Sequence, residues 1–578
     1  MIFRVILPLA LFGGSLNAQV TFDRILHADR EPQNWLTYSG NYSGHRYSTL
    51  NQINRNTVKN LQMKWVYHPT YLQNSQQKME NTPLVVDGIM YTGTVIEVVA
   101  LDAATGHQFW KYSRPINTNP TGHVITGYQI NKGVAVAGNK LFWGTIDCHL
   151  IVLDIKDGHL IQDITMVDWH KGYHFTGVPL LVKNMIILGV ATSEDGANCW
   201  ADAYDINTGK EIWRFYTAPM SADDPIAKTW GGDSWMHGGN PIWNDGSYDP
   251  ETNLVYFGIG NPNPGWNGDG RSGDNLYSEC VVALDADTGK LKWYYQFTPG
   301  DEYDWDSIQI PVLVNMDWKG KPRKVMLWPN RNGFYYVLDR TTGEYLMGKA
   351  FIKQNWAVGI DEYGKPIKAP GIWPKPMGGG PVMPGSQGGT NFYPPSYNPK
   401  TGLLYLTVWD NYAAFSGKGD PGPWVEGVRR DGNGSYGRAQ AALAAGRGGR
   451  GAGAGVEGDA PGGGRGGRGP GRANAAYKTE AEGYSAIRAI DPKTGEKKWD
   501  FKLVDNSEAG VLSTAGDVVF GGSREGDFVA LDANNGSLLW STFLGGASAS
   551  GPMTYAVNGK QYLVGTAAGT MYVFALPD

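Results

Sequence analysis

A five-residue phrase, Asp-x-x-Thr-Gly, returns along this chain, with a Trp four residues after its Gly. It reads Asp102-Ala103-Ala104-Thr105-Gly106 with Trp110, and Asp205-Ile206-Asn207-Thr208-Gly209 with Trp213. It reads again as Asp285-Ala286-Asp287-Thr288-Gly289 with Trp293, and as Asp491-Pro492-Lys493-Thr494-Gly495 with Trp499. Looser copies run from Asp154 to Gly158, Asp339 to Gly343 (without Trp), Asn398 to Gly402, and Asp532 to Gly536 with Trp540. The first spacings, Asp102 to Asp154 to Asp205, are 52 and 51 residues. A phrase kept at such intervals belongs to a repeat architecture in which each copy is one supersecondary unit.

Short runs rich in Val, Ile and aromatic residues lie between the copies, such as Leu84–Tyr91, Leu141–Thr145, Met185–Val190 and Asp517–Gly522. Bounded by Gly and turn residues, they read as strands. Each unit is then strand, turn, strand, turn, strand, the Asp-x-x-Thr-Gly turn, and a strand carrying Trp. That is one four-stranded antiparallel blade, and the expected fold is an all-β, eight-bladed β-propeller. The eighth blade is assigned here to the Asn398 copy, and the segment Leu61–Trp65 is expected to close the ring with the C-terminal strands. In the phrase, Gly supplies the positive φ of the turn and Asp accepts local backbone N–H bonds. The Trp wedges between blades, so these aromatics read as structure rather than as a ligand box.

Residues 1–18 combine one basic residue, Arg4, with an apolar run from Val5 to Phe12 and a small-residue end at Ala18. This reads as a secretory signal peptide, because the run is too short to span a bilayer. The mature chain, residues 19–578, is expected to be one periplasmic propeller domain with no transmembrane segment. The formal net charge of -5 gives no basic field for nucleic acid. The three cysteines, Cys148, Cys199 and Cys280, form no disulfide framework or haem motif. They read as buried thiols, with a Cys148–Cys199 bridge left open. A Gly/Arg-rich insert at about 430–475 cannot bury enough apolar surface to fold. In an exported chain it reads as a disordered surface loop rather than an RNA-binding tract.

Three stretches outside the phrases carry hard oxygen donors: Ala191–Gly196 with Glu194, Gly258–Pro264 with Asn261, and Asp301–Asp306. Carboxylates with an Asn amide oxygen suit Ca²⁺ or a similar hard cation. Asp301 and Glu302 read as solvated turn residues.

With these residues in place, the chain resembles the pyrroloquinoline quinone (PQQ)-dependent alcohol dehydrogenases, the methanol/ethanol quinoprotein group. The resemblance rests on the repeat phrase and on Met79–Gly88, Gly239-Asn240-Pro241-Ile242-Trp243, Gly260-Asn261-Pro262, Arg331–Arg340 and Gly388-Gly389-Thr390-Asn391-Phe392. It implies metal ligands at Glu194, Asn261, Asp304 and Asp306, with Asp304 as catalytic base. It implies cofactor contacts at Glu80, Lys132, Thr176, Trp243, Arg331 and Asn391, with Trp243 as the indole on which the flat quinone stacks. Asp306 marks members like the lanthanide-using branch, although some calcium relatives share it, so the implied ion is Ca²⁺ or a lanthanide. The implied reaction is oxidation of a primary alcohol, or a related alcohol or aldehyde, by hydride transfer to metal-bound PQQ. No haem motif is present, so electrons are expected to leave to a separate cytochrome c.

The chain also departs from the family pattern. The vicinal cysteine pair that covers the cofactor is absent from Thr126–Gly133, and Lys132 replaces an Arg, keeping charge but losing the bidentate fork. Glu508-Ala509-Gly510 stands where Trp-Gly-Gly is usual. Two alternatives are carried forward: a cofactor-free propeller acting as a scaffold or binding protein, and a quinoprotein for sugars or polyols. Monomer and homodimer are both left open.

Overall fold

The computed structural model of the chain describes residues 19–71, 78–116, 130–372, 381–415, 417–432, 477–478 and 483–578. The expected signal peptide, and the expected insert beyond residue 432, lie outside them. Eight antiparallel blades form one ring. Blades 1 to 5 occupy 84–113, 135–165, 180–216, 247–296 and 312–350, and blade 6 takes its strands from 396–410 and 484–503. Blade 7 spans 511–543, with Tyr47–Ser48 added in parallel beside its first strand. Blade 8 combines 553–575 with the N-terminal strand Gln62–Tyr67, which pairs antiparallel with Thr570–Ala575 and closes the ring.

The seven phrases beginning with Asp each join the third and fourth strands of blades 1 to 7. The Asn398–Gly402 copy instead joins the first two strands of blade 6, so the eighth blade is the closing one, which has no phrase. Three of the first blades' inner strands, such as Leu84–Val86, Met185–Gly189 and Leu254–Gly258, are wholly buried. The outer strand Gln108–Ser113 buries only its Trp110. All three cysteines are free and buried. Among the described residues no helix is long and apolar enough to cross a membrane.

The phrase works as an interlock between blades. Asp102 Oδ1 accepts the N–H groups of Ala104 and Thr105 at 2.8 and 3.1 Å, which fixes the turn. The Trp of the preceding blade then lies on the turn Gly. Trp65 faces Gly106, Trp110 faces Gly158, Trp213 faces Gly289, Trp293 faces Gly343 and Trp499 faces Gly536. Three of these indoles also donate to the carbonyl just after the next repeat Asp: Trp110 to Ile155 (3.0 Å), Trp213 to Ala286 (3.0 Å) and Trp499 to Ala533 (3.2 Å). Blades without the Trp substitute other groups, and Ile164 fills the place against Gly209.

Gly289→Ala tests this interlock. Gly289 has φ +66°, and a Cβ there would come within 2.5 Å of the Trp213 indole. The left-handed backbone costs an L-residue about 1–2 kcal/mol, and overpacking adds about 1–3 kcal/mol. Gly402, at φ +70°, has nothing within 4 Å of its Cβ position. Thermal unfolding should therefore show a larger loss for Gly289→Ala than for Gly402→Ala; equal losses would contradict the interlock.

Strand direction decides where chemistry can sit. In an up-and-down blade, the start of the first strand and the end of the second lie at one edge, and the turn between the third and fourth lies at the other. The phrases therefore mark one face of the ring. Residues that enter first strands or leave second strands gather on the opposite face.

Candidate active site

The residues that the sequence singles out follow this rule. Glu80, Lys132, Thr176, Trp243 and Asn391 precede the first strands of blades 1, 2, 3, 4 and 6. Glu194, Asn261 and Arg331 follow the second strands of blades 3, 4 and 5, and Asp304 and Asp306 lie in the passage from blade 4 to blade 5. Eight of them (Glu80, Lys132, Thr176, Glu194, Trp243, Asn261, Asp306 and Asn391) line one cleft of about 680 Å³, counting its open mouth. Asp304 and Arg331 adjoin the cleft: the Arg331 guanidinium joins Asp304 to the lining residue Asp306.

The oxygen donors form a continuous polar chain. The Ser193 N–H donates to Glu194 Oε2 (3.3 Å) and the Ser193 hydroxyl to Asn261 Oδ1 (2.6 Å). The Asn261 N–H donates to Asp306 Oδ1 (2.7 Å). Arg331 Nη1 reaches Asp306 Oδ2 at 2.6 Å, and its Nη2 reaches Asp304 Oδ2 at 3.3 Å. Arg331 is fully buried, and its Nε donates to the Ser386 carbonyl at 2.6 Å. Two glycines make room for this packing. A Cβ at Gly260 would strike the Asp306 carboxylate, and one at Gly388 would strike the Arg331 side chain.

Asp304 is buried and holds φ +63°. Asp and Asn tolerate that region better than most residues, and such strain gathers at functional sites. Its N–H donates to Asp301 Oδ2 at 2.8 Å. Asp301 is only 1% exposed, not solvated as the sequence suggests. Its carboxylate accepts the N–H groups of Tyr303, Asp304 and Trp305, so it shapes the loop that presents Asp304.

The other end of the cleft is aromatic and cationic. The Trp243 and Phe392 rings lie 6.2 Å apart. The Lys132 ammonium stands 4.8 Å from the Trp243 ring and 5.1 Å from the Phe392 ring, and pairs with Glu80 at 3.0 Å. Burial pushes Lys132 below its ordinary value despite Glu80. Burial works to raise Glu80, but Lys132 and Lys78 hold it below the usual carboxylate value. Thr176 Oγ1 donates to the Trp243 carbonyl (3.1 Å), and Asn391 Nδ2 donates to Gln387 Oε1 (3.1 Å). Burial pushes the His174 imidazole down to about 3, so it faces the cleft neutral.

Sequence reasoning missed Lys78 and placed no role on Glu508. Both line the cleft, and both enter first strands, of blades 1 and 7. That position is the signal that identifies them.

The donor chemistry fits the implied groups. Glu194, Asn261, Asp304 and Asp306 offer only oxygen, as a hard cation requires. Four carboxylates line the cleft, Glu80, Glu194, Asp306 and Glu508, against two ammonium groups, Lys78 and Lys132, which favours a further cation. The aromatic walls and lysines suit a flat, anionic ligand.

A family profile described as the glucose/ethanol/alcohol dehydrogenase β-propeller domain, of PQQ type, matches residues 35–349. A second, described as outer membrane protein assembly factor BamB, matches residues 484–576. The chain is 34% identical to the quinohemoprotein alcohol dehydrogenase ADH-IIG of Pseudomonas putida, over 95% of this chain and 74% of that protein. It is 33% identical to the quinoprotein alcohol dehydrogenase PedH of Pseudomonas putida, over 97% of this chain and 90% of that protein. Among solved structures, a europium-containing methanol dehydrogenase superposes with a TM-score of 0.83 at 28% identity, covering 96% of this chain and all of that one. The ADHIIG structure from Pseudomonas putida HK5 also gives 0.83, at 31% identity, over 97% of this chain and 82% of that one. The chain belongs to the family of PQQ-dependent alcohol dehydrogenases and is an oxidoreductase.

Proposed function

We propose that this chain is a periplasmic quinoprotein that oxidises a primary alcohol at the cleft, using PQQ and one Ca²⁺ or lanthanide ion. The observation that carries this reading is the unbroken polar chain from Glu194 through Ser193, Asn261, Asp306 and Arg331 to Asp304, beside the Trp243 wall. Glu194, Asn261, Asp304 and Asp306 hold the cation. Trp243, Thr176, Asn391, Lys132 and Glu80 would hold the cofactor, the indole offering a flat apolar face and Lys132 a positive charge for its carboxylates. When bound, PQQ with its cation supplies the two-electron acceptor for hydride from the alcohol carbon.

The protein's own part is proton handling and placement. Asp304 accepts the alcohol hydroxyl proton as general base. Arg331 aims that carboxylate through its 3.3 Å contact, and Asp301 fixes the loop beneath it. Asp306 adds a carboxylate to the cation site, which favours a trivalent ion. Electrons then pass to a separate carrier, for which a cytochrome c is the expected class.

Cofactor and metal analysis tests this assignment. Protein produced with PQQ, Ca²⁺ and La³⁺ all present should retain one PQQ and one ion per chain. Glu194→Gln should lose most of the ion while keeping the fold. Retention of neither group by the unaltered chain would refute the reading.

A further inference from the structure

The cleft holds a second charged pair that the alcohol chemistry does not use. Lys78 Nζ lies 2.9 Å from Glu80 Oε1 and 2.5 Å from Glu508 Oε2. It also stands 5.1 Å from the Phe392 ring, the ring that Lys132 approaches at the same distance. The two lysines therefore flank one aromatic wall. They differ in burial. The Lys132 and Glu80 side chains are each 1% exposed, whereas Lys78 and Glu508 are 21% and 19% exposed. Lys132–Glu80 is the inner pair, and Lys78–Glu508 closes the mouth.

The mouth pair bridges two blades that lie on either side of the closing one. Lys78 enters blade 1 and Glu508 enters blade 7, with blade 8 between them. Lys78 holds two carboxylates with a single rotatable ammonium, a point charge that can change partners without a fixed geometry. Glu508, 19% exposed, has a path to water when its ammonium partner is taken. Glu80 has no such exit. An anionic ligand entering the cleft meets an ammonium whose outer partner is exchangeable and whose inner partner is fixed.

We propose that Lys78 binds a carboxylate of the PQQ cofactor at the cleft mouth, and that Glu508 competes for the same ammonium, so that the Lys78–Glu508 pair is a latch that sets how tightly the cofactor is held. This rests on the reading of the cleft as the cofactor site. A polar latch also supplies a cover that a chain without the vicinal cysteine pair otherwise lacks.

The latch makes opposite predictions for its two ends. Cofactor-free full-length protein, with Ca²⁺ fixed, is titrated with PQQ and the dissociation constant is read by equilibrium dialysis. Lys78→Met should weaken binding about tenfold or more, the scale of one charge-assisted contact, and Lys78→Arg should restore most of it. Glu508→Gln should tighten binding severalfold, and Lys78→Met/Glu508→Gln should bind like Lys78→Met, because Glu508 acts through Lys78. Unfolding temperatures of the cofactor-free variants separate these effects from misfolding. Unchanged binding by Lys78→Met, or weaker binding by Glu508→Gln, in folded protein would overturn the latch alone. Failure of the unaltered chain to bind PQQ would overturn the cofactor site and the latch with it.

Discussion

Asp304→Asn is expected to remove nearly all alcohol oxidation while leaving the cleft assembled. Asn keeps the volume and one oxygen donor but cannot accept the hydroxyl proton. Loss of a positioned general base lowers turnover by roughly 10²–10⁴-fold. The loss should fall on kcat, with PQQ content unchanged and metal content measured on the same sample. Asp304 is suited to the role by its setting: buried, held at positive φ, and facing Arg331 at 3.3 Å. Full activity in Asp304→Asn would show that another group takes the proton.

Arg331→Met should give the largest stability loss of any single change at the site. The guanidinium is fully buried and is shared by Asp306 and Asp304. Its removal takes the shared cation from two buried carboxylates, and breaking such a pair costs about 3–5 kcal/mol. The effect should be greatest in cation-free protein. Added La³⁺ should raise the unfolding midpoint of Arg331→Met more than that of the unaltered chain, because the ion replaces the missing positive charge. Arg331→Lys should recover part of the loss but not the two-pronged contact. A cation-free Arg331→Met as stable as the parent would remove Arg331 from the account of the site.

Much of the fold was legible because its information is local. Asp102, Thr105 and Gly106 write a turn within a few residues, and Trp110 writes the contact to the next blade. The closing strand was legible for the same reason, since Leu61–Trp65 carries strand residues and the wedge Trp65. Asn398–Gly402 misled because a first-hairpin turn uses the same chemistry. Asn398 Oδ1 accepts the Lys400 N–H at 2.9 Å, as a repeat Asp would, but no Trp meets Gly402.

Residues that the fold gathers at the cleft were legible where a motif carried them, as with Glu194 and Asn261. They were not legible where ring closure alone makes the contact. Lys78 and Glu508 are far apart in sequence, and neither has a local reason to face the other. Asp301 misled for a related reason. Adjacent acids suggest solvent, but three backbone N–H groups satisfy this carboxylate in the interior. The strand-direction rule recovers Lys78 and Glu508, because both enter the first strands of their blades.

Dye-linked oxidation of a primary alcohol by the purified chain decides whether the cleft is a quinoprotein active site. The cofactor-free protein is assayed alone, with PQQ, with Ca²⁺ or La³⁺, and with PQQ plus either ion. Turnover is expected only when PQQ and an ion are both present. Absence of turnover and of bound-cofactor absorbance with either ion, in folded protein, would contradict it.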